Sequence, residues 1–69
     1  MSAHPSSAAE AGERALALLD SQSEITARDL LARQIVGSNI GGFYVLLDLE
    51  KAGRIVRSAR GWKRAEVTP

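Results

Sequence analysis

Cationic side chains near the C-terminus are the residues best suited to chemistry. Residues 54–69 hold five basic side chains and one acidic side chain, a net charge of +4, whereas residues 1–53 hold four basic and seven acidic ones, a net charge of −3. Four of the cations follow one another closely: Arg57, Arg60, Lys63 and Arg64. Because clustered cations release counterions from a phosphate backbone, the asymmetry predicts an anionic partner, and nucleic acid is the first candidate.

The remaining side chains offer little for catalysis or for metal binding. The chain has no cysteine, and its one histidine, His4, lies before any periodic pattern, where nothing would orient it as a base. One histidine without cysteine gives no nitrogen and sulfur ligand set. Gly37, Gly41 and Gly42 match neither the G-x-x-x-x-G-K-[ST] nor the G-x-G-x-x-G spacing of phosphate-binding loops. We therefore expect a protein that is not an enzyme and has no cofactor.

Length and composition predict one small globular domain. The chain has 69 residues, of which 45% are hydrophobic and 25% charged, an ordinary globular composition. No apolar stretch approaches the ~20 residues of a membrane helix, Met1–Pro5 lacks the features of a signal peptide, and the missing cysteines suit a reducing compartment. We expect a cytoplasmic protein without membrane contact, with a flexible tail at 1–6 and one domain over 7–69.

Two capping boxes predict the start of two helices. In Ser7-Ala8-Ala9-Glu10 and in Thr26-Ala27-Arg28-Asp29 a hydroxyl can accept an orphan backbone N–H, while the acidic residue reaches back to the cap. Apolar residues at helical spacing follow each box. The predicted helices run from about Ala8 to Asp20 and from about Ala27 to Ile35, the second one ended by the turn residues 36–39.

A third helix is predicted up to Ala52, with Ser38 or Asn39 as its N-cap and Gly53 as the glycine that follows its C-terminus. The helical period divides it into two sides. The predicted core side holds Gly42, Phe43, Leu46 and Leu49, with Ile40 and Leu47 at its edge. The side that should meet solvent or a ligand holds Gly41, Tyr44, Asp48 and Lys51.

The character after Gly53 changes to β. Two short strands, over 54–58 and 62–67, are predicted around the loop Ala59-Arg60-Gly61, whose glycine suits a left-handed position. Ile25 would form a one-residue strand against this hairpin, and Trp62 is expected to cover the edge of the core. The predicted fold class is therefore α+β, a winged helix-turn-helix of three helices plus a C-terminal β-hairpin wing.

The run L-x-x-L-E-x-x-G-x-I resembles bacterial winged-helix regulators. Its residues here are Leu46, Leu49, Glu50, Gly53 and Ile55. The length and the stretch 36–57 are most similar to the Pap/Fae-type regulators of pilus phase variation, although Gly41-Gly42-Phe43 departs from their more polar residues. The resemblance implies a DNA-associated transcription regulator that works with a larger DNA-binding protein.

The fold suggests how duplex DNA would be bound. The helix over 38–52 would enter the major groove, and the basic wing over 54–67 would contact phosphates. The candidate DNA-binding residues are Arg28, Ser38, Asn39, Gly41, Tyr44, Arg57, Arg60, Lys63 and Arg64. Two alternatives remain: Asn39 could be occupied as an N-cap, and Arg28 could be a plain surface charge. Asp48 would repel phosphates.

Two functions follow from this sequence. The first is sequence-directed binding of double-stranded DNA in transcription, or in phage or plasmid replication or partition, with a homodimer or a larger regulatory protein adding phosphate contacts. The alternative is a winged helix that docks on RNA polymerase, on another DNA-bound protein or on a second copy. Ile40, Tyr44 and Leu47, which form an apolar edge on the third helix, motivate the alternative.

Overall fold

The computed structural model of the chain describes residues 8–66. Three helices are followed by a two-stranded antiparallel sheet, so the α+β class is confirmed. The predicted tail, the Ser7 half of the first capping box and residue 67 of the predicted second strand lie outside the described residues. Both strands are shorter than predicted, since residues 54, 58, 65 and 66 belong to neither. The elements are α1 (Ala8–Leu18), α2 (Ala27–Ala32), α3 (Asn39–Lys51), β1 (Ile55–Arg57) and β2 (Trp62–Arg64).

An isolated residue before α2, Ile25, pairs with the hairpin. Ile25 exchanges two backbone hydrogen bonds with Trp62, each of 2.9 Å, which confirms the predicted one-residue strand. Within the hairpin, Ile55 pairs with Arg64 and Arg57 with Trp62. Residues paired across a ladder share a face, so these four side chains lie on the helix-facing side of the hairpin.

The core draws on every element. Ile25, Leu30, Leu46 and Ile55 are almost fully buried, and Trp62 is only 6% exposed, as predicted. Ile55 is buried while its neighbour Val56 is exposed, because adjacent side chains of a strand point to opposite faces. The other buried apolar residues are Ala11, Ala15, Leu16, Leu18, Leu19, Ile35, Val45 and Leu49.

Both early helices end sooner than predicted. The carbonyl of Leu18 accepts hydrogen bonds from the hydroxyl and the N–H of Ser21, which closes α1 at Leu18 instead of Asp20. The second helix ends at Ala32 instead of Ile35, because Gln34 takes a left-handed conformation with φ 58°. The N–H of Ile35 then returns to the carbonyl of Leu30, which closes a Schellman motif and buries Ile35.

The ends of α3 agree with the sequence. Of the two candidate caps, Ser38 is the N-cap, and its hydroxyl accepts the N–H of Gly41 at 3.0 Å. At the other end Gly53 has φ 78°, and the N–H of Arg54 returns to the carbonyl of Leu49. The Thr26–Asp29 capping box of α2 is likewise present.

The core side of α3 was partly mispredicted. Gly42, Leu46 and Leu49 are buried as expected, but Val45 is buried and Phe43 is 40% exposed. Gly42 faces α2, where the absence of a side chain lets the backbone of Ala27 approach closely. A single methyl group at Gly42 would lie 2.9 Å from the carbonyl oxygen of Ala27. Phe43 lies at the boundary with the hairpin, where its ring contacts Trp62.

The hairpin loop also differs from the prediction. Gly61 does not have a positive φ, and the strands are joined by residues 58–61, with the N–H of Ser58 donating to the carbonyl of Gly61 at 2.8 Å. The glycine is required for another reason: a Cβ at Gly61 would collide with the carbonyl oxygen of Ile25 and lie 2.9 Å from Cγ2 of Thr26. Gly61 therefore permits the close approach that forms the bridge.

We expect Gly61→Ala to destabilise the fold by about 1–3 kcal/mol, the usual range for overpacking, because the added methyl group must push the hairpin away from Ile25. For a domain of this size the midpoint of thermal unfolding should fall by roughly 4–8 °C per kcal/mol. Gly37→Ala is the matched control, since a Cβ there meets nothing within 4 Å. Equal midpoints for the two variants would contradict the role given to Gly61.

Candidate functional site

Four side chains join the hairpin to α3, and we call them the junction cluster: Phe43, Glu50, Arg57 and Trp62. The ring of Phe43 meets the ring of Trp62 edge-on, with 5.7 Å between centroids and 70° between planes. The guanidinium carbon of Arg57 lies 4.6 Å from the centroid of the Trp62 ring. Arg57 also lies 3.7 Å from the carboxylate of Glu50. The cluster therefore holds one exposed cation beside α3.

Arg60 and Lys63 are the exposed cations at the tip and on the outer side of the hairpin. The backbone N–H of Arg60 donates to the carboxylate of Glu24 at 3.3 Å, which attaches the loop to the segment before α2. Lys63 pairs with Val56 on the side of the hairpin that faces away from the helices. Within residues 8–66, neither side chain forms an ion pair.

The other basic residues of this region contact α1. Arg64 donates to the carbonyl of Leu16 at 2.8 Å and to the carboxylate of Asp20 at 2.7 Å. Arg54 contacts Glu13 at 2.7 Å. Of the sequence candidates, Arg64 is therefore separated from Arg57, Arg60 and Lys63, and its charge is compensated inside the molecule. The cationic cluster read from the sequence is smaller in the fold.

The candidates at the start of α3 have different surroundings. Asn39 is exposed as the first residue of α3, and Tyr44, in the second turn, is 61% exposed. The hydroxyl of Ser38 is engaged as the cap, and Gly41 packs against it, since a Cβ there would lie 3.1 Å from that oxygen. Arg28 is exposed in the first turn of α2.

An apolar stripe runs along α3 opposite the core, and we call it the outer face of α3. Its most exposed members are Ile40, at 68%, and Tyr44, at 61%, with Phe43 and the half-buried Leu47 beside them. Asp48 lies to one side, where it lines a cleft of about 250 Å³ between α1 and α3. The acidic side chain expected to repel phosphates is thus displaced from the middle of this face.

Glu24 is the acidic residue whose environment is clearly altered. The Ser58 hydroxyl faces it and makes the largest contribution to lowering the pKa of Glu24, and the N–H of Arg60 lowers that pKa further. The Ser58 oxygen is buried and has no hydrogen bond of good geometry within residues 8–66. The contact that holds the loop is the hydrogen bond from the N–H of Arg60 to the Glu24 carboxylate.

Three members of the junction cluster, Phe43, Glu50 and Trp62, were not among the candidate DNA-binding residues. Phe43 and Trp62 were assigned to the core, and no sequence signal predicted the contact of Glu50 with Arg57, which depends on how the hairpin folds back along α3. Among the described residues, no group of acidic or histidine side chains is arranged to hold a metal ion. In the same part of the chain, no helix combines the length and apolar character needed to cross a membrane.

Comparison with known protein families, with curated proteins and with solved structures found no match to this chain.

The lowered pKa of Glu24 predicts a dependence of stability on pH. A carboxyl whose folded-state pKa lies below its unfolded value, about 4.3, stabilises the fold above that value, and the contribution is lost as the pH falls through the folded-state pKa. Wild type should therefore unfold at a higher temperature than Glu24→Gln at pH 7. The difference should shrink from about pH 5 downward and disappear once the carboxyl is protonated in both states.

Glu66→Gln is the control, because within residues 8–66 the exposed Glu66 makes none of the contacts that hold the loop. A difference between wild type and Glu24→Gln that persists unchanged in acid would show that the substitution acts through something other than the charge. Thermal unfolding followed by circular dichroism at several pH values measures both variants.

Proposed function

We propose that this chain binds double-stranded DNA as a winged helix, with α3 in the major groove and the hairpin as the wing on the phosphates. The order of three helices and a hairpin is compatible with that layout. The observation that carries the proposal is that three exposed cations, Arg57, Arg60 and Lys63, lie on one hairpin, with Arg57 beside α3. Phosphate contacts of this kind set the register of a helix in the groove.

Base contacts would come from the first two turns of α3. Asn39 is free of the capping role, which Ser38 fills, and a free asparagine amide can pair with adenine. Tyr44, in the second turn, would add a contact from the outer side of the helix, and Arg28 would contact the DNA backbone from the start of α2. Ser38 and Gly41 contribute through the shape of the helix start, while Arg64 supports the wing by its contact with α1.

A single module with so few phosphate contacts binds DNA weakly. Useful affinity then requires a second DNA-binding unit held nearby, because linkage raises the effective concentration of the first. A homodimer or a larger regulatory protein would supply it. This agrees with the resemblance to small bacterial regulators, and the role we propose is transcription regulation in the cytoplasm, with phage or plasmid replication or partition as related settings.

The double variant Arg60→Ala/Lys63→Ala tests the wing. Each lost phosphate contact should lower the steepness of the log–log salt dependence by about 0.9, so the slope should fall by roughly 1.8 and binding should weaken at every salt concentration. The measurement is fluorescence anisotropy of a labelled 20-base-pair mixed-sequence duplex at several salt concentrations.

Arg14→Ala/Arg33→Ala is the matched control for this variant. It removes the same charge from a cleft beside α1 and the end of α2, and it should leave the slope nearly unchanged. If the control weakens binding as much as the wing variant, net charge alone drives the association and the wing has no special role.

The outer face of α3 favours protein docking as a second candidate function. Ile40 and Tyr44 are among the most exposed large apolar side chains of the described residues, and neighbouring exposed apolar residues are typical of interfaces. A partner such as RNA polymerase, a DNA-bound protein or a second copy would bury them. The helix would then contact protein while the wing remained on DNA.

Tyr44→Lys separates the two functions. An added cation on α3 should strengthen binding to a mixed-sequence duplex if the helix faces DNA, because it adds a phosphate contact. The same cation should weaken association if the helix docks on protein, because a charge is costly to bury without a partner. Duplex anisotropy and the solution mass as a function of protein concentration measure the two effects, with Ala17→Lys as an added cation at an exposed position of another helix, α1.

A further inference from the structure

Three arginines between residues 54 and 64 contact carboxylates, and one contact differs from the others. Arg54 to Glu13 and Arg64 to Asp20 are both 2.7 Å, the length of charge-assisted hydrogen bonds. The Arg57 to Glu50 distance is 3.7 Å, beyond hydrogen-bond range. The first two arginines attach the hairpin to α1. Arg57 is merely near its carboxylate.

The aromatic ring, and not the carboxylate, holds Arg57 in place. Its guanidinium lies 4.6 Å from the centroid of the Trp62 ring, and Trp62 is fixed by burial and by its backbone bonds to Ile25. A cation within about 6 Å of an indole face is attracted to it. Arg57 can therefore lose Glu50 and remain in position.

Glu50 is placed against its own helix dipole. It lies in the last turn of α3, where the partial negative charge of the helix end disfavours a carboxylate. The side chain of Glu50 is 33% exposed and that of Arg57 is 56% exposed. An incoming anion can therefore reach the guanidinium from solvent without opening the fold.

We propose that the carboxylate of Glu50 competes with a DNA phosphate for the guanidinium of Arg57, and that this competition sets the affinity of the wing for DNA. On binding, the phosphate replaces the carboxylate at the guanidinium, while Trp62 keeps the guanidinium beside α3. Arg57 then acts as the positioned phosphate contact, and Arg60 and Lys63 add charge without fixed direction. This inference rests on the proposed binding of duplex DNA.

Replacing the Glu50 carboxylate by a phosphate at Arg57 costs little free energy. An exposed ion pair without hydrogen-bond geometry changes an equilibrium constant by less than about fivefold. Each phosphate contact, by contrast, adds to the affinity for DNA through counterion release. Glu50 thus lowers affinity by a modest factor at all sequences. When non-specific binding is weak, a larger fraction of the protein molecules remains free to bind sites where α3 also makes base contacts.

The test is a double-mutant cycle of Glu50→Gln and Arg57→Ala, measured by anisotropy with a labelled 20-base-pair mixed-sequence duplex at low salt. In the otherwise wild-type chain, Glu50→Gln should tighten binding of the duplex about threefold, which is within the limit of about fivefold for an exposed ion pair. In the Arg57→Ala background it should change binding by less than about 1.5-fold, because the cation for which the carboxylate competes is gone. Circular dichroism confirms that each variant is folded.

Asp48→Asn in both backgrounds is the matched control. It removes a carboxylate from the same helix, on the side that faces α1, and it measures through-space repulsion of phosphate. Its effect should be the same with and without Arg57.

Equal tightening by Glu50→Gln in the two backgrounds overturns the exchange and leaves DNA binding standing. Glu50→Gln that weakens binding overturns it as well, because Glu50 would then serve to position Arg57. If folded wild type binds no duplex at low salt, the proposed function fails and the exchange fails with it.

Discussion

Two backbone hydrogen bonds between Ile25 and Trp62 connect the helical part of this chain to its hairpin. Ile25 is completely buried, and Trp62 is nearly so, so these bonds are shielded from water and cannot be exchanged for solvent without cost. Gly61 makes the approach possible by having no Cβ, and the indole closes the edge of the core. A hairpin of two three-residue strands has little stability alone. This bridge, together with the burial of Ile55 and Trp62, therefore holds it beside α3.

Much of this arrangement follows from local signals in the sequence. The Thr26–Asp29 capping box, the serine cap of α3 and the glycine after its C-terminus are each decided by a few neighbouring residues, and all three are present. The bridge at Ile25 was also predictable, because an isolated β-branched residue between two helices favours a short strand. Local chemistry thus determined the element order and the α+β class.

Other features depend on contacts distant in sequence. The left-handed Gln34 has no glycine signal, and its conformation is compensated by burying Ile35. Phe43, expected in the core, is 40% exposed, whereas Val45, which was assigned to neither side of α3, is buried. The separation of Arg64 from the other cations results from Asp20, which lies far away in the chain but next to it in space. Charge counted along a sequence cannot reveal which cations the fold itself neutralises.

The position of Trp62 gives the molecule a built-in optical reporter. It is the one tryptophan of the chain, and it lies where the core, the hairpin and α3 meet, with Phe43 at its edge and Arg57 over its face. Its indole N–H is buried and, in the part of the chain described, unpaired, so its emission should be that of an apolar environment. A red shift would then signal that the hairpin has come away from the helices, even where helical content is unchanged.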